Sequence, residues 1–150
     1  MSLRYKSEGE VHKDFHRLLC ATLHYLEDRY GREGAEEVVA RTAKDVFRSM
    51  HESLKAGDCL ELCEYWKHYL AREGGDFSVE MLADGARLIV RDCPAQRRLV
   101  ELGEPPDPVM CEATRVFNEA LADGSAFKTS TRATGAFSCV QEFRTGRAEA

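Results

Sequence analysis

The sequence predicts an α+β fold, in which a helical N-terminal half packs against a small antiparallel sheet built from two β-hairpins. Apolar residues recur at helical spacing through the first half, and the period changes to two after Gly74-Gly75. Two turn-forming pairs, Asp84-Gly85 and Thr134-Gly135, then divide strand-like runs. A chain of 150 residues suits a single domain. Its expected parts are a helical half (1–75), a hairpin–helix–helix–hairpin half (76–144) and a frayed tail (145–150).

Three helices are expected in the first half. A glycine just past the last periodic residue is a common helix C-cap, which places helix ends at Gly31, Gly57 and Gly74. Asp58 has the side chain of an N-cap residue and begins the third helix. The predicted helices are Glu10–Tyr30, Glu33–Lys55 and the segment from Asp58 to Gly74.

The second half begins with a hairpin that pairs Phe77–Ala83 with Ala86–Asp92 across the turn Asp84-Gly85. This register gives one wholly apolar face, made of Phe77, Val79, Met81, Ala83, Ala86, Leu88 and Val90.

Two helices and a second hairpin follow. Proline is favoured at the first helical position, so one helix is expected from Pro94 to about Leu102 and another from Pro108 to about Asp123. The last hairpin is expected to pair Ala126–Ala133 with Ala136–Arg144 across Thr134-Gly135.

Composition excludes several classes of protein. With 43% apolar and 31% charged residues and a net charge of −5, the chain has the make-up of a soluble globular protein. Charges are interleaved without a basic block, so no nucleic-acid partner is expected. The apolar runs are too short to span a membrane, and the N-terminus lacks the apolar stretch of a signal peptide. We therefore expect a cytoplasmic protein with reduced thiols. The long front helices leave open a scaffolding or interaction protein, which an exposed apolar face on the second helix would favour. A homodimer could cover that face.

The first helix carries His12, His16, Cys20 and His24 at intervals of four residues. Such a row drifts by about 40° at each step around a helix, which makes one four-ligand metal site geometrically poor. We predict that Cys20 and His24 point toward solvent, that His12 and His16 are ordinary partly buried histidines, and that no metal is bound. A two-ligand metal site made of His12 and His16 is the alternative. The stripe expected to be buried consists of Val11, Phe15, Leu18, Leu19, Thr22, Leu23 and Leu26.

Two cysteines of the second half lie at helix starts. Cys93 precedes Pro94, where backbone N–H groups and the positive end of the helix dipole favour thiolate, and Arg97 and Arg98 follow one turn later. Cys111 falls in the first turn of the next helix and has the same bias. Both are candidate catalytic thiols; a packing role for Cys93 beside Pro94 remains open.

Cys139 lies in the last predicted strand. If the turn is Thr134-Gly135, Cys139 faces Ser130 directly, with Lys128 and Arg132 on the same side. A thiol, a hydroxyl and two cations on one face suit a small anionic ligand such as a carboxylate. A solvent-facing edge hairpin is the alternative, since a one-residue change of register reverses the face.

The second half also resembles a known family over about Phe77 to Phe143. The matching elements, in order, are Arg87-Leu88-Ile89-Val90-Arg91, Asp92-Cys93-Pro94, Met110-Cys111, Lys128-Thr129-Ser130-Thr131 and Gly135-Ala136-Phe137-Ser138-Cys139. The order of these elements along the chain and their strand–helix context resemble those of the L-2-amino-thiazoline-4-carboxylic acid hydrolase-like family. In that family an acidic residue often follows the middle cysteine by a few positions, whereas here Glu112 is its immediate neighbour.

The resemblance implies hydrolytic opening of a small ring that contains sulfur and nitrogen and bears a carboxylate. Such a reaction needs a nucleophile or activated water, a proton donor and a cation for the carboxylate. Cys93 is then the nucleophile or activated thiol, Glu112 the acid or base, and Lys128 or Arg132 the carboxylate anchor. The sequence identifies no cofactor. The alternative function is a non-catalytic module that binds a small ligand, a haem or a metal for sensing or redox regulation.

Overall fold

The computed structural model describes Gly9, His12 and residues 14–146. Five helices and a four-stranded sheet in these residues confirm the α+β fold. None of the described helices is both long and apolar enough to cross a lipid bilayer. The helices are α1 (Phe15–Asp45), α2 (Arg48–Lys55), α3 (Leu60–Arg72), α4 (Pro94–Glu101) and α5 (Pro108–Ala122). The strands are β1 (Asp76–Leu82), β2 (Gly85–Asp92), β3 (Lys128–Gly135) and β4 (Ser138–Arg144).

The front helices follow the predicted glycine signals with one additional break. Gly31 has φ 75° and ψ 170°, so helical geometry is interrupted there as predicted, although the helix resumes at once. The predicted helix Glu33–Lys55 is divided, because α1 ends at Asp45 and α2 begins at Arg48. The predicted start at Glu10, the stripe residue Val11 and the tail beyond Gly146 lie outside the described residues.

The two hairpins lie side by side in one antiparallel sheet of strand order β1-β2-β4-β3. In the first hairpin Leu82 pairs with Gly85, so the turn is Ala83-Asp84 rather than Asp84-Gly85. This change shifts the cross-strand partner by two residues, an even number that leaves each side chain on its predicted face. Ala86, Leu88 and Val90 are buried on that face, and Phe77 and Val79 are half-buried.

The predicted register of the last hairpin is wrong. Cys139 pairs with Ala133 instead of Ser130, and Ser130 pairs with Glu142. The partner shifts by three residues, an odd number that exchanges the two faces of β3 relative to β4. A register irregularity between Ala133 and Gly135 accompanies the shift. Because β3 has polar residues on both faces, its own sequence does not dictate which face turns inward.

The helices cover one face of the sheet and form two hydrophobic clusters. The larger cluster joins α2, α3 and α5 to β2 and β4, and includes Met50, Trp66, Leu88, Leu121 and Phe143. The smaller cluster lies among α1, α4 and α5, and includes Cys20, Leu23, Leu99 and Met110. Cys93 packs against both clusters and so lies at their junction.

Candidate functional site

Cys93 connects β2 to α4 at the junction of the two clusters. Its backbone N–H donates to the carbonyl of Phe137 (2.7 Å), and its carbonyl accepts from the N–H of Arg97 (3.0 Å), which fixes the start of α4. Burial raises the pKa of the Cys93 thiol, and the N–H groups of Gln96 and Ala95 lower it by less. The helix N-terminus therefore acts as predicted, but burial outweighs it, and the prediction of a thiolate is wrong.

Arg97 and Arg98 were predicted to add positive charge near the Cys93 thiol, but both are paired with carboxylates. Arg97 is ion-paired with Asp92, and its second guanidinium nitrogen donates to the carbonyl of Gly74 (3.1 Å). Arg98 is paired with Glu101 one turn along α4 (3.1 Å). The negative charges of Asp92 and Glu101 therefore offset the positive charges of the two arginines near the Cys93 thiol.

The structure gathers Cys93, Cys111 and Cys139 into one region. The pKa of Cys139 is raised mainly by burial, and also by negative charge on either of the other two sulfurs. The side-chain amide of Gln96 donates to Cys111 Sγ (3.5 Å), and that of Gln141 to Cys139 Sγ (3.7 Å). All six cysteines are free. We call this group of three half-buried sulfurs the thiol centre.

Buried polar side chains extend from the thiol centre into the packing of α5 on the sheet. Asn118, on α5, donates to Gln141 Oε1 (2.8 Å) and to Thr131 Oγ1 (2.9 Å). Asn118, Gln141 and Gln96 are all buried. No local pattern predicts this network, because its members are far apart along the chain and each is a common surface residue.

A buried acid–base pair lies on the other side of Cys93. His16 Nε2 and Glu73 Oε2 are 2.8 Å apart, and their side chains are only 7% and 4% exposed. Among the described residues, no hydrogen-bond partner meets the buried His16 Nδ1, whereas Glu73 also forms a side-chain hydrogen bond with Tyr69. Glu73 is close enough for its charge to raise the pKa of Cys93 and, after the larger effect of burial, that of Tyr69. Sequence reasoning missed Glu73, which follows α3.

The predicted buried stripe of the first helix is confirmed at Leu23 and wrong at most of its other described members. Phe15, Leu18 and Leu19 are exposed, whereas His16 and Cys20 are buried together with Leu23. The helix turns this face inward because both polar residues find partners there: His16 contacts Glu73, and Cys20 contacts Asp107. Pairing of buried polar groups thus decides the orientation of α1, and apolar spacing alone could not predict it.

Glu112 does not point toward the neighbouring sulfur of Cys111. Its carboxylate accepts hydrogen bonds from Arg115 (2.7 Å) and from Arg32 on α1 (2.6 Å). These two guanidinium groups, Arg115 first, lower the pKa of Glu112. Glu112 is therefore a carboxylate at neutral pH, a form that accepts a proton but has none to donate. It also lines a shallow cleft of about 240 Å³, part of it open solvent, with Leu23, Ala35, Val39, Ala113 and Val116.

The predicted carboxylate anchors lie away from the thiol centre. Lys128, Ser130 and Arg132 are exposed on the face of β3 opposite to the one that carries Thr131 and aligns with Cys139. The grouping of these three residues with Cys139 into one ligand-binding surface is thus corrected by the observed register.

A second cluster of reactive groups joins α1 to the loop before α5. Cys20 Sγ donates to Asp107 Oδ2 (3.4 Å), and His24 Nε2 lies 2.6 Å from the same oxygen. The prediction that both point toward solvent is confirmed for His24, whose side chain is 50% exposed, and is wrong for Cys20, which is buried. Asp107 was missed as a site residue, since its spacing from the first helix carries no motif.

Cys20, His24 and Asp107 shift one another's pKa values. Burial and the neighbouring Asp107 raise the pKa of Cys20 to about 11. The hydrogen bond to Asp107 raises the pKa of His24. Burial by itself raises the pKa of Asp107, but hydrogen bonds from His24 and from the N–H of Val109 bring it below its usual value. In the resting cluster the Asp107 carboxylate thus accepts three hydrogen bonds, from His24, from Cys20 and from the N–H of Val109.

No protein-family model matches the chain, and no curated protein is significantly similar to it in sequence.

Proposed function

We propose that this protein is a hydrolase that opens a small carboxylated heterocycle containing sulfur and nitrogen, such as 2-amino-thiazoline-4-carboxylate. The observation that carries the proposal is the buried imidazole of His16, whose Nδ1 has no hydrogen-bond partner among the described residues and whose Nε2 is paired with Glu73, a carboxylate close enough to raise the pKa of Cys93. Nearly all buried polar atoms in folded proteins have partners, so exceptions need an explanation. A bound substrate or a reacting water supplies one.

The required proton transfers match the His16–Glu73 pair. Water adds to the ring carbon between sulfur and nitrogen, the bond from that carbon to the ring nitrogen breaks, and the departing nitrogen takes a proton. An imidazole can accept the proton of the water and return it to the nitrogen, while a carboxylate on its other nitrogen orients the ring. Glu73 holds His16 Nε2 in this way and leaves Nδ1 available.

Cys93 is assigned to substrate contact at the start of α4. Its thiol is protonated at neutral pH, so a nucleophilic role requires a base, and the His16–Glu73 pair is the candidate. The N–H groups at the start of α4 form a positive helix end suited to a carboxylate. They replace Lys128 and Arg132 as the proposed anchor, because those cations lie on the other side of the sheet.

An NMR assay of the purified, reduced protein with 2-amino-thiazoline-4-carboxylate tests this proposal. We expect conversion to carbamoyl-cysteine, with kcat reduced about 100-fold or more in Glu73→Gln, since a positioned acid–base group contributes at least this factor. Cys93→Ser should also lower turnover, because it alters the side chain assigned to substrate contact. Cys59→Ser is the matched control, because Cys59 is a buried thiol that contacts Met81 instead of the thiol centre. Its turnover should stay within a few-fold of wild type.

The same experiment distinguishes the non-catalytic alternative. Full turnover by Cys93→Ser would remove Cys93 from the mechanism. Substrate signals that broaden with the wild type, without product, would instead indicate a ligand-binding module. Addition of haem to the same sample, followed by a search for Soret absorption, tests the haem-binding form of that alternative.

We also propose that the protein is a cytoplasmic homodimer. Six free thiols suit a reducing compartment. Phe15, Leu18 and Tyr25 are exposed on α1, and a second copy would cover them. Light scattering of the wild type should give twice the monomer mass, and Leu18→Glu should give the monomer mass. A monomeric wild type would contradict the dimer without affecting the proposed reaction.

A further inference from the structure

Three different metal-ligating atoms converge where the first half of α1 meets the loop before α5. Cys20 Sγ, His24 Nε2 and one oxygen of Asp107 all lie within 4.8 Å of one another. Cys20 and His24 are one helical turn apart, so α1 presents both on the same side. Asp107 reaches them from the N-cap position of α5, 83 residues beyond His24. The cluster therefore depends on the tertiary fold and is not a local sequence motif.

The distances are close to those of a metal-bound set. Tetrahedral zinc with bonds of about 2.3 Å to sulfur and about 2.0 Å to oxygen and nitrogen holds S and O about 3.5 Å apart, and N and O about 3.3 Å apart. The observed separations are 3.4 Å for Cys20 Sγ to Asp107 Oδ2 and 2.6 Å for His24 Nε2 to the same oxygen. Of these two separations, the one between His24 Nε2 and Asp107 Oδ2 must increase on metal binding. His24 can move because its side chain is 50% exposed.

The carboxylate of Asp107 is held in place by groups that are not ligands. Its Oδ1 accepts the N–H of Val109 (2.9 Å), which leaves Oδ2 directed at Cys20 and His24. The buried side chain of Gln96 donates to the backbone carbonyl of Asp107 and accepts from its N–H, both at 2.8 Å. Such outer contacts orient the ligands of metal sites and contribute to affinity.

The arrangement does not match a nucleophilic triad. In a Cys–His–Asp triad the imidazole lies between the thiol and the acid, and takes the thiol proton. Here the acid lies between the other two, and both Cys20 and His24 direct their hydrogen bonds to Asp107 Oδ2. A cation placed among the three groups would replace these shared protons and bind all three atoms at once.

We propose that Cys20, His24 and Asp107 bind a divalent transition-metal ion, with Zn²⁺ the best match to this sulfur–nitrogen–oxygen set. Three protein ligands leave a fourth position for water or for a small ligand. Glu27, Asp28 and Glu104 add negative potential around the cluster, while Arg17 is paired with Glu104. The site is independent of the proposed reaction at Cys93.

Cobalt substitution tests this site on the full-length protein. Co²⁺ bound tetrahedrally through a thiolate gives intense visible bands and a sulfur-to-cobalt charge-transfer band. We expect both with one equivalent of Co²⁺, displacement by Zn²⁺, and loss of the charge-transfer band in Cys20→Ala. The band should persist in Cys93→Ser, which is the matched control for cobalt bound at the thiol centre.

His24→Ala keeps the test valid if Cys20→Ala fails to fold, because His24 is half-exposed and its loss leaves no cavity. Competition with a chromogenic chelator should show Zn²⁺ affinity lowered about 100-fold or more in His24→Ala. His68→Ala, on α3, should leave the affinity within a few-fold of wild type. Wild-type protein that binds no stoichiometric Co²⁺, or Cys20→Ala that keeps the charge-transfer band, would overturn the proposal.

Discussion

The two hairpins differ in how strongly their sequences specify them. In the first, apolar residues alternate with charged ones, and its inward face keeps its predicted composition even though the turn moves to Ala83-Asp84. In the last hairpin, β3 alternates between one polar type and another, and an odd shift of register brings Thr131 rather than Ser130 to the inner face. Alternation between apolar and polar residues, more than turn chemistry, therefore protects a strand from changing faces.

This difference decides which residues surround the thiol centre. Cys93 follows the well-specified hairpin and lies where the sequence placed it, at a strand-to-helix joint. Cys139 belongs to the weakly specified hairpin. In place of the predicted cations it contacts Gln141, whose side chain in turn accepts a hydrogen bond from the buried Asn118. The neighbours of a site built from both hairpins can thus be predicted only as well as the register of the weakly specified hairpin.

The largest effect is expected where the two hairpins meet, at Gly85. A Cβ at Gly85 would lie 1.8 Å from the carbonyl oxygen of Phe143, and φ there is 153°. We expect Gly85→Ala to lower the free energy of unfolding by more than about 3 kcal/mol, or to prevent folding, because β2 and β4 must separate. Urea denaturation of the wild type and of Gly85→Ala measures this loss in the free energy of unfolding.

Gly135→Ala is the matched control in the last hairpin. Its added Cβ would meet only the Ser138 hydroxyl, at 2.9 Å, and that side chain can rotate away. A loss below about 1 kcal/mol is expected. Equal losses at the two glycines would show that the junction of the hairpins is not the constrained position.

A smaller effect is expected from the buried polar network that fixes the last hairpin. Asn118→Leu leaves Gln141 Oε1 and Thr131 Oγ1 without their donor, at a cost of about 1–3 kcal/mol. Amide exchange should accelerate in β3 more than in β1. The double variant Asn118→Leu/Gln141→Met should recover part of the stability, since replacing both partners by apolar groups removes the unsatisfied atom. No recovery would mean that shape, not hydrogen bonding, holds β3.

The part of the fold that could be predicted from the sequence is the part encoded by local patterns. Gly31 and Gly57 mark a helix break and a helix end, and Pro94 and Pro108 begin helices, because each acts through its own backbone. The first hairpin follows from alternation over seven or eight residues per strand.

The rest depended on partners far away in the chain. The inward face of α1 is set by Glu73 and Asp107, which lie 57 and 87 residues from their partners His16 and Cys20. Of the candidate site, Cys93, Cys111 and Cys139 were identified from local context. The raised pKa values of Cys93 and Cys139 were not predicted, since burial is a property of the folded chain.

Thiol reactivity distinguishes the observed register from the predicted one. Cys139 is half-buried and burial raises its pKa, whereas Ser130 is exposed on the other face. Ser130→Cys should react with iodoacetamide about tenfold or more faster than Cys139 at pH 8, as measured by mass spectrometry of digested protein. The rate at Cys139 should keep increasing above pH 9, because thiolate forms only as pH approaches its raised pKa. If Ser130→Cys formed a disulfide with Cys139, the predicted register would be correct and the observed one would be contradicted.

The smallest effect is expected on the outer face, where charges connect the two hairpins. Arg87 of β2 forms ion pairs with Glu142 of β4 (2.7 Å) and Glu80 of β1 (3.4 Å). The side-chain partners of Arg91 in the described part of the chain, Asp76 (2.9 Å) and Ser78 (3.0 Å), both belong to β1. Arg87→Met should cost about 1 kcal/mol or less, because exposed ion pairs contribute little, and the loss should shrink at high salt. Arg91→Met is the control within the first hairpin and should cost no more.

The comparison of Arg87 with Arg91 determines whether charge contributes to joining the hairpins. If Arg87→Met cost well over 2 kcal/mol with no salt dependence, the outer charges would specify the junction of β2 with β4. A small, salt-sensitive loss would leave that role to the inner face, where Phe143 is fully buried and pairs with Ala86. The second outcome is expected, because burial of apolar area on the inner face gives a larger free energy than a solvent-exposed ion pair.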